Sequence, residues 1–167
     1  PAGLMTRMED PNHHVTEFNY DALGRLTRDE DPAGGIQDLA RTALPDGFEV
    51  SRTTGLGRTT THRVENLPTG QERRVTTDPN GLLTERLITG DGTHTITTPD
   101  GMVSTLVQGP DPRFGMAAPK ALQFTTTTPS GLTFSARTDA FATLTEPGNP
   151  LSLETLTEEL FLNNRLF

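Results

Sequence analysis

The sequence predicts an all-β protein made of consecutive antiparallel β-hairpins that form an extended, curved sheet with little or no helix. Three observations lead to this prediction. The 167 residues include 29 Thr, 16 Gly and 13 Pro; β-branched residues favour strands, whereas Gly and Pro mark turns. Turn signals recur every 9–13 residues from Gly3 to Gly101. The segments between them alternate apolar and polar side chains, as a sheet with two different faces requires.

The turns follow a simple chemical pattern. Pro45, Pro68 and Pro99 each stand two residues before a glycine, and Asp78-Pro79-Asn80-Gly81 has the same order. Pro fixes φ at the second turn position, and Asn, Asp or Gly tolerates the positive φ that a later position requires. His13 takes the place of the glycine after a Pro-Asn pair. We therefore expect a tight turn at each point and a strand between successive turns.

One face of the sheet is expected to carry most of the apolar side chains. Alternation is clear at 93–97 and 102–107, and 124–128 and 132–136 flank the Pro129-Ser130-Gly131 turn as a hairpin. Only 32% of the residues are hydrophobic, so we expect no compact globular core. The side chains predicted to be buried are Val15, Phe18, Tyr20, Leu26, Phe48, Val50, Val64, Val75, Leu83, Ile96, Val107, Phe124 and Phe134.

Two stretches interrupt the rhythm of the turns. Residues 109–120 contain three Pro and two Gly and are predicted to form an irregular loop. The tail, 151–167, fits a helix by the spacing of its leucines and also a strand that enters a turn at Asn163-Asn164; we favour the strand. The predicted organisation is hairpin repeats at 1–108, the loop, and further hairpins at 121–167.

Composition argues against several classes of function. Without Cys the chain forms neither a disulfide scaffold nor a thiolate metal site, and no apolar run approaches the ~20 residues of a membrane helix. A net charge of -8 with scattered Arg argues against a nucleic-acid partner. Ser51, Ser104 and Ser130 lack the context of a catalytic nucleophile, and Gly55-Leu56-Gly57 lacks the Lys of a phosphate loop. We expect no catalytic residue, no cofactor and no metal.

One motif in the first 35 residues is specific. A Tyr-Asp pair is followed three residues later by Gly-Arg-Leu and then by an Asp-Pro-Ala-Gly-Gly turn. This arrangement resembles the YD repeat of the Rhs family. The resemblance is strong over residues 12–35, and the flanking units to residue 108 keep the turns but lose the Tyr-Asp pair. The residues predicted to form the structural repeat motif are Tyr20, Asp21, Gly24, Arg25, Leu26, Asp31, Pro32, Gly35, Pro79 and Gly81.

The resemblance implies a structural role. Proteins of this family wind a long ribbon of β-hairpins into a hollow shell, which encloses a toxic C-terminal domain in bacterial relatives. A similar shell is part of an adhesion receptor in the animal teneurins. We therefore expect a non-enzymatic wall segment of a larger, secreted bacterial protein, whose partners are the rest of its own shell and an enclosed C-terminal domain. The alternative is a cell-surface adhesion module or a repeat that binds carbohydrate.

Two features have a functional interpretation beside a structural one. Asp78–Leu82 matches the Asp-Pro-x-Gly-Leu string at which Rhs proteins cut themselves, but the repeats continue beyond it, so we interpret it as a turn. His13 and His14, with Asp10 nearby, are candidate metal ligands. Neighbouring residues of a strand point to opposite faces, so we expect no metal there.

Two charged groups have a similar ambiguity. Asp29, Glu30 and Asp31, with Asp21, are candidate calcium ligands, but no calcium-loop spacing is present, and we interpret them as a solvated acidic loop. A set of arginines in the middle of the chain is interpreted as exposed strand positions rather than as a contact for an acidic glycan or cargo. These arginines are Arg58, Arg63, Arg73 and Arg74.

Overall fold

The computed structural model describes residues 3–167, and no helix occurs among them. Fourteen strands follow one another through the sheet in chain order, and the described pairs are antiparallel. The strands are β1 (Arg7–Glu9), β2 (Val15–Tyr20), β3 (Leu26–Glu30), β4 (Ile36–Leu44), β5 (Gly47–Thr54), β6 (Thr59–Asn66), β7 (Glu72–Thr77), β8 (Leu83–Ile88), β9 (Thr93–Thr97), β10 (Val103–Asp111), β11 (Gly115–Thr127), β12 (Thr133–Leu144), β13 (Leu153–Leu162) and β14 (Arg165–Leu166). The predicted fold of consecutive antiparallel hairpins is confirmed. The turn predicted at the start of the chain includes Pro1 and Ala2, which lie outside the described residues.

The strands fall into two compact units. The first comprises Pro1–Asn66 and Arg73–Leu83, and the second comprises Leu67–Glu72 and Thr84–Phe167. In the first unit, β4 and β5 form a long hairpin with eight paired positions. In the second unit, β12 and β13 pair over nine positions with one register shift. No helix of the described residues is long and apolar enough to cross a membrane.

Neither unit has a hydrophobic core, because no apolar side chain among residues 3–167 is buried. The structure agrees with the prediction that the chain has no compact globular core. Most of the side chains predicted to be buried are only half-buried, and Leu83 (54%), Phe124 (38%) and Phe134 (40%) are exposed. None of the thirteen is buried as predicted, and these three are the furthest from the prediction. Alternation correctly selects one face of a sheet, but burial requires a second layer packed on that face.

Residues 109–120 form the end of a hairpin, so the predicted irregular loop is wrong. β10 runs to Asp111, whose Oδ1 accepts the backbone N–H of Arg113 at 2.8 Å and of Phe114 at 3.1 Å to close the turn. Pro110 lies between Gly109 and Asp111, where the register of β10 and β11 shifts. A proline is tolerated at such a bulge because no ladder hydrogen bond is needed there. Proline content alone was therefore a poor reason to predict a loop.

The strand predicted in the tail is confirmed. β13 pairs with β12 along its length, and Asn163 and Asn164 have φ values of 49° and 63°. Two successive residues with positive φ are typical of a two-residue hairpin turn, and Asn tolerates that conformation better than most residues. β14 then returns alongside β13.

Gly47 has a different role from the turn glycines. It is the first residue of β5, and a Cβ atom at this position would lie 1.9 Å from the carbonyl oxygen of Val64. The sequence predicts a glycine that supplies positive φ, but Gly47 instead permits the close approach of two backbones.

Candidate functional site

Asp21 organises the turn between β2 and β3. Its Oδ1 accepts the backbone N–H groups of Leu23 and Arg25, each at 2.9 Å, and its Oδ2 accepts the Nε–H of Arg25 at 2.7 Å. Gly24 has a φ of 78° and donates its N–H to the carbonyl oxygen of Asp21 at 3.0 Å. The Asp, Gly and Arg of the repeat motif thus form one hydrogen-bonded group around the turn.

Tyr20 fixes this turn to the segment before β1. The side chain is half-buried, and its hydroxyl donates to the carbonyl oxygen of Met5 at 2.8 Å. Leu26 is the cross-strand partner of Tyr20 at a register shift between β2 and β3. The Tyr of the motif therefore joins two neighbouring hairpins, while the Asp acts within one.

The arrangement at Asp21 recurs at Asp10, Asp31 and Asp78. The Oδ1 atom of each accepts backbone N–H groups two and four residues later, at 2.8–2.9 Å. In the turn at Asp31 the positive φ belongs to Gly34 (81°), not to the predicted Gly35. A Cβ atom at Gly35 would lie 2.3 Å from Oδ2 of Asp31, so a larger residue there would displace the carboxylate that caps the turn.

Asp78–Leu82 has the geometry of the same turn. Pro79 stands at the second position, where its fixed φ fits, and Gly81 has a φ of 83°. The Oδ1 atom of Asp78 accepts the N–H of Asn80 at 2.8 Å and of Leu82 at 2.9 Å. The residues that resemble a cleavage string are thus placed as a capped turn between β7 and β8.

A second kind of turn begins with Thr. The Thr89 hydroxyl donates to Oδ1 of Asp91, and the Thr98 hydroxyl donates in the same way to Oδ1 of Asp100. The Asp91 carboxylate also accepts the N–H of Thr93 at 2.9 Å. In the first kind of turn the carboxylate belongs to the first turn residue. In this second kind the first residue carries a hydroxyl and the third residue carries the carboxylate. Sequence reasoning identified the turns but not this exchange of capping groups.

Hydrogen bonds lower the pKa of four of these carboxyl groups. For Asp10 and Asp21 the largest cause is the backbone N–H four residues later. For Asp91 and Asp100 it is the hydroxyl two residues earlier. Hydrogen bonds donated to a carboxylate favour its ionised form, so the folded turns stabilise the charged state.

The histidines at the first turn are held by separate carboxylates. His13 has a φ of 62°, which confirms that it takes the place of a glycine. Its Nδ1 lies 2.7 Å from Oε1 of Glu9, and the Nδ1 of His14 lies 3.1 Å from Oδ2 of Asp10. In residues 3–167 no group of three or more His, Asp or Glu side chains is arranged to hold a metal ion.

The acidic cluster at the end of β3 does not converge on one point. Asp31 caps its turn, and Oε2 of Glu30 lies 3.6 Å from Nη2 of Arg28. Asp29 lies in a cross-strand row between Phe18 and Gln37. The three side chains therefore have separate surroundings.

An ion-pair network that sequence reasoning missed joins β10, β11 and β13. Asp111 is 6% exposed and is the one buried polar residue of the described part of the chain. Nζ of Lys120 lies 3.7 Å from Oδ2 of Asp111 and 2.6 Å from Oε1 of Glu158. The Glu158 hydrogen bond chiefly raises the pKa of Lys120, and the N–H of Arg113 chiefly lowers the pKa of Asp111. Both shifts favour the ionised forms of the pair.

Three of the four arginines that gave the middle of the chain its basic character have partners. Arg63 lies 2.5 Å from Oε1 of Glu65, and Arg73 lies 3.1 Å from Oε2 of the same residue. Arg74 also has an interaction partner. Arg58 is exposed, and within residues 3–167 it makes no ion pair.

A comparison with protein families finds a match to the segment that contains the Tyr-Asp motif. The model described as RHS Repeat matches residues 1–36, which include the Tyr-Asp pair, the turn at Asp21 and the turn at Asp31. The resemblance to the Rhs/YD-repeat family is therefore confirmed for this segment, and the matched repeat is a structural one. The comparison with curated proteins finds no match to the chain.

Proposed function

From the RHS repeat at residues 1–36 and the absence of a core in the described strands, we propose that this chain is a wall segment of a secreted Rhs/YD-repeat protein that encloses a C-terminal, toxin-like domain. The role is structural and not enzymatic. In this proposal the strands supply the wall, and the domain inside supplies the activity.

The observation that carries the proposal is an uncovered apolar face in the second unit. One cross-strand row from β8 to β13 contains mostly apolar side chains. Its members are Ile88, His94, Leu106, Phe124, Ala136 and Leu162. The neighbouring row contains Ile96 and Phe134, of which Phe134 is 40% exposed, together with Arg86, Ser104 and Thr126. A row of mostly apolar side chains that is not buried by the described residues favours a contact with another protein body, and an enclosed domain would supply one.

The test uses the complete protein that carries these residues. Limited proteolysis is expected to spare the C-terminal domain while the wall is intact. Phe124→Asp places a charge on the apolar row and is expected to speed cleavage of that domain, because burying an unpaired charge is costly. Gln123→Asp is the matched control, since neighbouring residues of a strand point to opposite faces.

Equal cleavage rates in the wild type and both variants would contradict enclosure. A complete protein with a membrane anchor and no further domain would instead favour the alternative, a cell-surface adhesion or carbohydrate-binding repeat. Detection of the protein outside the producing cell tests the proposed secretion separately.

A further inference from the structure

Asn80 is the one asparagine of the chain that is followed by a glycine. The chain contains seven Asn residues, and six of them precede a larger residue. The backbone nitrogen of the next residue is the group that can attack an asparagine side chain, and Gly81 leaves this approach open because it has no Cβ atom. Asn80 is exposed, and its side-chain amide makes no hydrogen bond within residues 3–167. The side chain is therefore able to turn towards the nitrogen of Gly81.

The turn at Asp10 is the structural counterpart of the turn at Asp78. Each begins Asp-Pro-Asn, and Oδ1 of the Asp accepts the backbone N–H groups two and four residues later at 2.8 and 2.9 Å. The fourth residue donates its N–H to the carbonyl oxygen of the Asp at 3.0 Å in both turns, and its φ is positive in both, 62° at His13 and 83° at Gly81. The Asn of each turn is thus held alike, and the two turns differ in the residue that follows it.

A cation without a counter-charge lies near Asn80. An open groove of about 580 Å³ is lined by Arg58 and Thr59 from the hairpin of β5 and β6, and by Pro79 and Asn80 from the hairpin of β7 and β8. Arg58 is exposed and makes no ion pair within residues 3–167. The neutral amide of Asn80 offers the guanidinium no charge, whereas a carboxylate at the same position would.

We propose that Asn80 is a site of spontaneous deamidation and that the carboxylate formed there pairs with Arg58. The backbone nitrogen of Gly81 loses its proton to water and attacks Cγ of Asn80. The new bond from nitrogen to Cγ closes a succinimide ring, and the bond from Cγ to Nδ2 breaks. The departing group takes up the proton through water and leaves as ammonia. A second water molecule opens the ring and leaves an aspartate or an isoaspartate.

The two products affect the turn differently. An aspartate keeps the length of the backbone, so the hydrogen bonds to Oδ1 of Asp78 remain and the new charge lies beside Arg58. In an isoaspartate the backbone runs through the side-chain carbons and is longer, which moves the N–H of Leu82 away from Asp78. The reaction needs no enzyme, so the charge of this groove changes with the age of the protein. The inference is independent of enclosure, because it uses one groove of the first unit.

Peptide mapping by mass spectrometry, after the chain has been aged at mildly alkaline pH, tests the modification. The mass change from an amide to a carboxylic acid is expected about tenfold faster at Asn80 than at Asn12, because Gly81 has no Cβ atom. Gly81→His gives the turn at Asp78 the order of the first turn and should reduce the rate at Asn80 to that at Asn12. His13→Gly is the reciprocal variant and should raise the rate at Asn12. It keeps the test decisive if Gly81→His does not fold.

A double-mutant cycle tests the pairing with Arg58. Asn80→Asp builds one product directly, and the change that it causes in the thermal midpoint is measured with Arg58 present and in Arg58→Gln. The change should be about 2 °C more favourable when Arg58 is present, as expected of an exposed ion pair, and this difference should shrink at high salt. Asn12→Asp is the matched control, and its effect should be the same with and without Arg58.

Two results would overturn the proposal. Equal rates at Asn80 and Asn12, with no effect of the two exchanges at Gly81 and His13, would show that the glycine does not create a site of deamidation. Equal changes in the midpoint for Asn80→Asp with and without Arg58 would show that the new carboxylate has no partner across the groove.

Discussion

The turns at Asp21 and Thr128 have the same backbone and different capping groups. In each, the N–H of the first residue donates to the carbonyl four residues later at 2.9 Å, and the N–H of the glycine donates back to the first residue at 2.9–3.0 Å. Gly24 and Gly131 have φ values of 78° and 85°. The Asp21 carboxylate accepts two backbone N–H groups and the Arg25 guanidinium, whereas the Thr128 hydroxyl accepts one N–H, from Leu132 at 3.1 Å.

The difference teaches which part of the repeat motif specifies the turn. The family match ends at residue 36, yet the same backbone turn recurs at Gly131. Both turns share the glycine, its position relative to the first turn residue, and a side-chain oxygen on that first residue that accepts the N–H four residues later; the positive φ is the part that requires glycine. Tyr20, Asp21 and Arg25 are additions that stabilise one copy of a turn that the chain also forms without them.

The largest expected effect concerns Tyr20. Tyr20→Ala removes a half-buried ring and the hydrogen bond to Met5, so we expect a loss of about 2 kcal/mol in the free energy of unfolding. Thr127 occupies the corresponding position before Thr128, and Thr127→Ala should cost about 0.5 kcal/mol or less. Urea unfolding of both variants measures the difference. Equal losses would mean that the Tyr of the motif adds nothing to its hairpin.

The next effect tests whether the two turns share one backbone requirement. Gly24→Ala and Gly131→Ala force a Cβ atom into a conformation with positive φ, and each should cost about 1–2 kcal/mol. Gly90→Ala is the control, because a Cβ atom there meets nothing within 4 Å and no positive φ is required. A cost at Gly131 much smaller than at Gly24 would break the equivalence of the two turns.

The sequence predicts the strands and turns well because both depend on neighbouring residues. Alternation and the Pro-x-Gly pattern act over a few residues, and they identified even the Asn163-Asn164 turn. Burial was predicted less well, since Phe124 and Phe134 become exposed when nothing packs on their face. The Asp111–Lys120–Glu158 network depends on register. A register shift such as that at Gly109 is not encoded in a local pattern.

A further effect is expected from the caps themselves. Thr128→Ala removes only neutral hydrogen bonds, with the N–H of Leu132 and with the Ser130 hydroxyl, and should cost about 1 kcal/mol. Asp21→Ala should lower the urea midpoint about twice as far, because charge-assisted hydrogen bonds are roughly twice as strong as neutral ones. Asp21→Asn keeps an oxygen for the two backbone N–H groups and loses the ion pair, so its midpoint should lie between those of the wild type and Asp21→Ala. Equal midpoints for Asn and Ala would show that only the charge matters.

The smallest effect is a change in pH dependence that can be transferred from one turn to the other. The pKa of Asp21 is lowered in the folded chain, chiefly by the N–H of Arg25, so the unfolded chain binds the proton more tightly. The stabilisation is therefore present above the ordinary Asp pKa of about 4 and is lost as the pH falls through the lower, folded value.

The amide resonance of Arg25 should shift over this range in nuclear magnetic resonance spectra, and that of Leu132 should not. Thr128→Asp gives the second turn a carboxylate at the same position, so the Leu132 resonance should acquire the same titration, with a gain of about 0.5 kcal/mol at neutral pH. The Leu132 resonance of this variant could instead stay constant between pH 6 and the acid limit of folding. In that case the two turns are not interchangeable. The side chain of the first turn residue would then influence the backbone of the turn as well as cap it.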